Sequence, residues 1–172
     1  MMLKGKKGII FGVANEHSLA WHIAVNAVAQ GAEVVLSVAS ERFVRRVAPL
    51  AEKLGAPPPI ICDVSSDEQI AEAFVEIKKV MPEVDFLVHA IATAKRGELE
   101  GRFVDTSRDG FSLAHDISTY SFVALARAAE DLLTADASLL TLSYLGAIRA
   151  VPSYNVMGVA KASLEASVRY MA

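Results

Sequence analysis

Cysteine is almost missing from this chain: Cys62 stands alone among 172 residues, so no internal disulfide can form. No CxxC and no Cys/His cluster accompanies it, so no metal site is expected, and Cys62 reads as a small buried hydrophobe. Glycine (10) and proline (6) are too few for a collagen-like or low-complexity chain. Excess charge of one sign is lacking as well, the formal net charge being −3. The tightest basic groups, Lys4-Lys6-Lys7 and Arg42-Arg45-Arg46, are small and interleaved with apolar residues, which argues against nucleic acid as a partner. Long apolar runs are absent too, although 53% of the residues are hydrophobic and the mean hydropathy is +0.36. The longest uncharged stretches, such as Ala137 to Ile148, fall far short of the ~20 residues a spanning helix needs. Lys4, Lys6 and Lys7 precede only the strand-length run Gly8 to Ala14, which does not resemble a signal peptide. A soluble, cytoplasmic protein with no membrane partner is the expectation. What is present, a high apolar fraction at this length, excludes intrinsic disorder and suits one domain or most of one.

Apolar runs alternate with helical patterns. Gly8 to Gly12 reads as a buried strand, and Ser18 to Gln30 as a helix closed by Gly31. Glu33 to Val38 is a second strand, and Glu41 to Leu54 a second helix ending at Gly55. Pro57-Pro58-Pro59 stiffens the entry to a third strand, Ile60-Ile61-Cys62. A helix over Asp67 to Val80 follows, capped by Ser65 or Ser66, and then a strand over Phe86 to Ala90. Beyond a long polar loop the pattern predicts a helix from Phe111 to Leu133, a strand from Ser138 to Ser143, and a last helix from about Ser153. Continuous apolar strands separated by helices imply a parallel sheet covered on both faces. Right-handed crossovers make this an α/β, Rossmann-type doubly wound fold, read as a single nucleotide-binding domain over residues 1–172.

In such sheets ligands bind beyond the carboxyl ends of the strands. After the first strand, Gly12-Val13-Ala14-Asn15-Glu16-His17-Ser18-Leu19 stands where a pyrophosphate meets a helix N-terminus, yet the strict GxGxxG pattern is missing. An ordinary strand–helix turn with a serine cap fits this segment equally well. Asp63, before Val64, is placed to accept from an adenine amino group or to cap a turn. Ala90-Ile91-Ala92 is small enough for a flat ligand to approach the backbone. The sharper signal is Tyr154 with Lys161, seven residues apart, which on a helix puts both on one face. An ammonium beside a phenol favours the phenolate and makes the hydroxyl a better proton donor. Tyr144 stands at the end of the fifth strand. Spacing alone also fits an amphipathic residue and a solvated charge on a surface helix.

The order Gly12-x5-Ser18-Leu19, Asp63-Val64, Ala90-Ile91-Ala92 and Tyr144-x9-Tyr154-x6-Lys161 resembles the short-chain dehydrogenase/reductase superfamily. Tyr-x6-Lys with an upstream tyrosine, together with His115 to Ser118, Leu140 to Gly146 and Tyr154 to Tyr170, is similar to the bacterial enoyl-[acyl-carrier-protein] reductases, from Leu3 to the last residue. The resemblance implies hydride transfer from NADH to the β-carbon of a trans-2-enoyl thioester in fatty acid biosynthesis. It implies that Gly12, Ser18 and Leu19 line the pyrophosphate, Asp63 and Val64 the adenine, and Ile91 and Ala92 the ribose and nicotinamide. Lys161 would hold the nicotinamide ribose, and Tyr154 would act on the thioester carbonyl with Tyr144 placing it. The partners it implies are an enoyl-acyl-carrier-protein substrate and the other subunits of a homotetramer built on the last two long helices.

Three departures stand against the pattern. No acidic residue follows the second strand, where Val38-Ala39-Ser40-Glu41-Arg42 stands; NADH is favoured, and NADPH stays open because Arg42 is placed to pair with a 2′-phosphate. Thr93 and Lys95-Arg96 replace an apolar, proline-containing loop, as a solvated pair or a contact for the acidic carrier protein. Family members also continue past the Tyr/Lys helix into two more strands and a substrate-covering loop, so a C-terminally truncated chain is expected. Two other readings follow: a short-chain ketoreductase or alcohol dehydrogenase, and a cofactor-binding fragment without turnover. The first lacks its class's serine, Thr141 being nearby.

Overall fold

Five runs of mainly aliphatic residues form one wholly parallel sheet: β1 (Lys7–Phe11), β2 (Glu33–Val38), β3 (Ile60–Ile61), β4 (Val84–His89) and β5 (Leu133–Thr141). Their spatial order is β3-β2-β1-β4-β5, seen in a computed structural model that describes all residues, Met1–Ala172. The chain divides into two compact units, residues 1–90 with 126–141, and residues 91–125 with 142–172. The whole sheet lies in the first.

Within that unit helices cover both faces, as expected of a Rossmann-type sheet. Ile10, Val34, Leu36, Val38 and Val88 pack with Ala20, Ala24 and Ala27 of α1 (Leu19–Ala29) and with Val47 and Ala51 of α2 (Glu41–Lys53). On alternate positions the strands point the other way. Phe11 there stacks on Phe74 of α3 (Asp67–Val80), ring centroids 6.1 Å apart. Small helical residues let α1 lie close to the sheet. Gly8 does the same between strands, since a Cβ there would stand 2.0 Å from the ring of its neighbour Phe86. The strand order reverses between β1 and β4, which sets the crevice beyond their carboxyl ends as the place for a ligand.

The fifth strand begins earlier than its apolar pattern predicts. Val84 pairs with Leu133 and Phe86 with Ser138, so the ladder shifts register across residues 134–137. Thr134 donates to the Asp85 carboxylate at 3.4 Å, and Lys6 (2.7 Å) and the Lys7 N–H (2.9 Å) donate to it as well, which holds that carboxyl below its ordinary range. The Thr134 contact, invisible to periodicity, ties the early part of β5 to β4.

The second unit contains α4 (Arg108–His115), most of α5 (Ser121–Ala129) and α6 (Asn155–Met171). The single helix predicted over Phe111 to Leu133 is interrupted by a π turn, Asp116–Tyr120. Hydroxyls explain the break: Ser118 donates to the Thr93 carbonyl (3.1 Å), Thr119 to Ala160 (2.8 Å) and Ser121 to Ile117 (2.7 Å). Ala114, Val156, Met157 and Ala160 form the core of this unit. No helix is long and apolar enough to cross a membrane, and no group of three or more His, Cys, Asp or Glu is placed to hold a metal ion.

Cys62 is only 3% exposed, and burial pushes its thiol up to about 12. Because the thiolate is the reactive species, Cys62 should resist alkylation by iodoacetamide at pH 8 in the folded protein and react in urea. Mass spectrometry of the alkylated chain reads both, and rapid labelling of the native protein would contradict the burial.

Candidate functional site

In the first unit the candidate residues cluster in loops at the carboxyl edge of the sheet. β1 ends at Phe11, and Gly12 follows with φ of 100°, a left-handed conformation that glycine adopts without strain. Asn15 and Ser18 then build the start of α1. The Ser18 hydroxyl donates to the Asn15 carbonyl at 2.7 Å and accepts from the Trp21 N–H at 3.4 Å, so it is the helix cap. No acidic side chain occupies the first turn of α1, which leaves its amide ends and positive dipole for an anion. Leu19 projects outward and is 68% exposed.

Asp63 follows β3. Its carboxylate accepts from the Ser65 N–H (3.0 Å) and the Ser65 hydroxyl (2.7 Å), closing the turn that leads into α3. The turn reading of Asp63 is therefore realised, while Val64 beside it is buried. In the first turn of α2, the Arg42 guanidinium lies over the Phe43 ring, 4.7 Å from its centroid.

In the second unit Ile91 and Ala92 open the loop after β4. Ser118 clamps the next residue twice, accepting from the Thr93 N–H (3.0 Å) and donating to the Thr93 carbonyl. Sequence reasoning missed this clamp; the dense run of hydroxyl residues Ser118-Thr119-Tyr120-Ser121 is its only visible sign.

The tyrosine–lysine pair is built on α6 and the segment following β5. Lys161 is 5% exposed, and its ammonium donates to the Leu142 carbonyl at 2.7 Å. Burial holds its pKa below the ordinary lysine value. Leu142 leads through Ser143 to Tyr144, and Ser143 donates to the Glu165 carboxylate at 2.5 Å, one turn beyond Lys161 on the helix. Two contacts thus fasten the Tyr144 segment to α6.

Tyr154 sits just before the helix, with φ −122° and ψ −27°, rather than on its face. The expectation of two residues on one helical face is corrected accordingly: only Lys161 is helical, and the chain turns sharply at the tyrosine. The Tyr144 and Tyr154 rings meet edge to face with centroids 4.8 Å apart. Behind Tyr154 lies Gly146, where a Cβ would come within 2.4 Å of the Tyr154 ring. Gly158 in turn lets the Gly146 carbonyl approach, since a Cβ there would stand 2.8 Å from that oxygen. A cavity of about 470 Å³ adjoins Tyr154, with Phe103, Ile148, Val151 and Val159 in its walls.

The electrostatics also differ from the expectation of a phenol drawn toward its phenolate by lysine. Tyr154's pKa is raised, first by burial and then by the neighbouring Tyr144. One N–H of the Lys161 ammonium goes to the Leu142 carbonyl, and the raised pKa of Tyr154 favours its protonated, donating form.

The family model described as enoyl-(acyl carrier protein) reductase matches residues 12–172. The curated enoyl-[acyl-carrier-protein] reductase [NADH] 1 of Rhizobium meliloti is 47% identical over 171 residues, covering 99% of this chain and 63% of the relative. FabI, the enoyl-[acyl-carrier-protein] reductase [NADH] of Escherichia coli, is also 47% identical over 171 residues, with 99% and 65% covered. The crystal structure of the Anaplasma phagocytophilum reductase in complex with NAD superposes with a TM-score of 0.96 at 52% identity, covering 99% of this chain and 65% of that one. The chain spans about two thirds of the length of these relatives (63% and 65%). A parallel sheet with its strand order reversing at β1 and β4, a buried helical lysine with two tyrosines packed together before its helix, and near-half identity along its length agree: this chain belongs to the enoyl-(acyl carrier protein) reductase family.

Proposed function

We propose that this chain carries the cofactor-binding and catalytic residues of an NADH-dependent reductase of trans-2-enoyl thioesters, acting on enoyl-acyl-carrier-protein in fatty acid biosynthesis. The observation that carries the reading is the half-buried Tyr154 packed edge-on to Tyr144, with the ammonium of Lys161 bonded to the Leu142 carbonyl at the start of the Tyr144 segment.

Each unit, taken by itself, carries residues suited to part of a nicotinamide dinucleotide. Gly12 has no Cβ and a left-handed φ, so the backbone after β1 can approach a pyrophosphate, and the start of α1 at Ser18 and Leu19, which has no acidic side chain in its first turn, favours its charge. Val64 and Asp63 would flank the adenine, and Ile91 and Ala92 the nicotinamide side. Lys161 uses one N–H on Leu142, and an ammonium has three, which leaves donors for ribose hydroxyls. The NADH-named reductases that the chain resembles support NADH over NADPH.

When bound, the reduced nicotinamide supplies hydride to the substrate β-carbon. Negative charge then grows on the thioester oxygen, and the Tyr154 hydroxyl donates a hydrogen bond to it. Tyr144 and Gly146 fix the Tyr154 ring, so this donor is aimed before the reaction starts. Protonation at the α-carbon completes the saturated product. The resemblance further supports a homotetramer in the cytoplasm.

Oxidation of NADH and of NADPH, followed at 340 nm with a short 2-enoyl thioester and with the matching 3-keto thioester, tests the reading. Enoyl reduction with NADH preferred is expected. Turnover of the keto substrate alone, or NADH binding without any turnover, would replace it with the ketoreductase or the binding-fragment reading.

A further inference from the structure

The chain contains only two non-glycine residues with positive φ, Ser153 at 58° and Asn155 at 28°, and they flank Tyr154 on either side. Strained backbone of this kind persists only where the surroundings over-determine it. Asparagine is among the few side chains that tolerate the left-handed region, so one role of Asn155 is to permit the turn. Its side chain does more. The Asn155 amide donates to two successive carbonyls, Glu100 and Gly101, each at 3.2 Å. Those carbonyls belong to the loop that begins at Ile91 and Ala92, so one side chain joins that loop to the residue next to Tyr154.

The rest of the packing leaves the phenol little slack. Gly146 lies against one side of the ring, Tyr144 meets it edge-on, and the Tyr154 carbonyl accepts from the Met157 N–H at 2.9 Å. The amide clamp ties the backbone beside the ring to a second segment.

We propose that Asn155 is a positioning residue that sets the placement of the Tyr154 hydroxyl through its clamp on the Glu100–Gly101 carbonyls. The proposal rests on Tyr154 being the donor to the substrate oxygen. It separates two properties that asparagine combines, tolerance of a left-handed φ and donation from an amide. Glycine keeps the first and lacks the second. Aspartate keeps the shape, loses both donors and sets an anion against two carbonyl oxygens.

Asn155→Gly and Asn155→Asp are therefore both expected to lower kcat by roughly ten- to a hundredfold. The KM for NADH should stay within about twofold, because the loss falls on the reacting step. Ultraviolet titration of the phenols, with Tyr154→Phe as the reference that identifies the Tyr154 signal, should show its ionisation moving in both variants. Asn155→Gly with wild-type kcat and an unmoved Tyr154 titration would overturn the proposal, since the residue would then serve the turn alone. Full activity of Tyr154→Phe would instead remove the donor reading beneath it. The titration in Asn155→Gly still decides whether the amide sets the phenol's surroundings, and an unmoved signal there counts against the clamp.

Discussion

Tyr154→Phe is expected to lower kcat for enoyl reduction by about 10²- to 10³-fold, the usual cost of losing one aimed donor to a developing oxyanion. Phenylalanine keeps the ring, its edge contact with Tyr144 and its fit against Gly146, so the fold and the KM for NADH should hold. The pH dependence follows from the same geometry. Only the protonated phenol donates, and burial together with Tyr144 raises the Tyr154 pKa above the ordinary 10. Activity should therefore be level from neutral pH to about pH 10 on this account and fall only above it. The deprotonated form gains population as the pH passes through the raised pKa, which sets the sign. A wild-type limb near pH 8 that vanishes in Tyr154→Phe would mean that the phenol titrates as an activated acid, against the burial seen here. A phenylalanine variant within about threefold of wild type would remove the hydroxyl from the reaction altogether.

The parts of the fold that depend on burial were the readable ones. β1, β2 and β4 are covered on both faces, which writes them as unbroken apolar runs, and α3 occupies the predicted span of Asp67–Val80. The parts that depend on individual hydroxyls were not. Thr119 and Ser121 are neutral in a helical pattern, yet their bonds to Ala160 and Ile117 accompany the π turn that divides the predicted long helix. The candidate site shows the same division. Tyr144, Tyr154 and Lys161 were visible by their spacing, which assumed a helix through Tyr154. The sign of φ at Ser153 and Asn155 leaves no trace in periodicity, so neither the sharp turn nor the clamp was readable. Asp63 stays open between two roles in the sequence, because the Ser65 contacts that close its turn depend on atomic placement. Lys161 presents the clearest case: a lone lysine in a helical sequence reads as a solvated charge, and it is among the most buried polar residues of the chain.

That burial makes Lys161→Met the second informative change, because activity and stability should part company. Methionine keeps an unbranched stem of similar length and removes the ammonium. Hydrogen bonds from a charged donor are worth about 1.5–3 kcal/mol each, so loss of even one to a cofactor ribose should weaken NADH binding by roughly ten- to a hundredfold. The folded state responds differently. At neutral pH the wild type holds a charge that is 5% exposed and has one carbonyl acceptor, and burial lowers the Lys161 pKa below 10.5. The desolvation cost of that charge offsets the hydrogen bond to Leu142, so the Tm of Lys161→Met at pH 7 should equal or exceed the wild-type value. Above neutrality the sign is fixed by linkage. Between the lowered folded pKa and the unfolded value near 10.5 the unfolded chain binds more protons, so wild-type stability rises with pH relative to the methionine variant. Below that window the difference between the two proteins does not depend on this group. Thermal melts from pH 7 to 11 should thus show a constant gap that moves in favour of the wild type at the alkaline end. A gap that moves the other way would mean that Lys161 gains stability from its charge, and a variant that still binds NADH at wild-type affinity would free the lysine from the ribose.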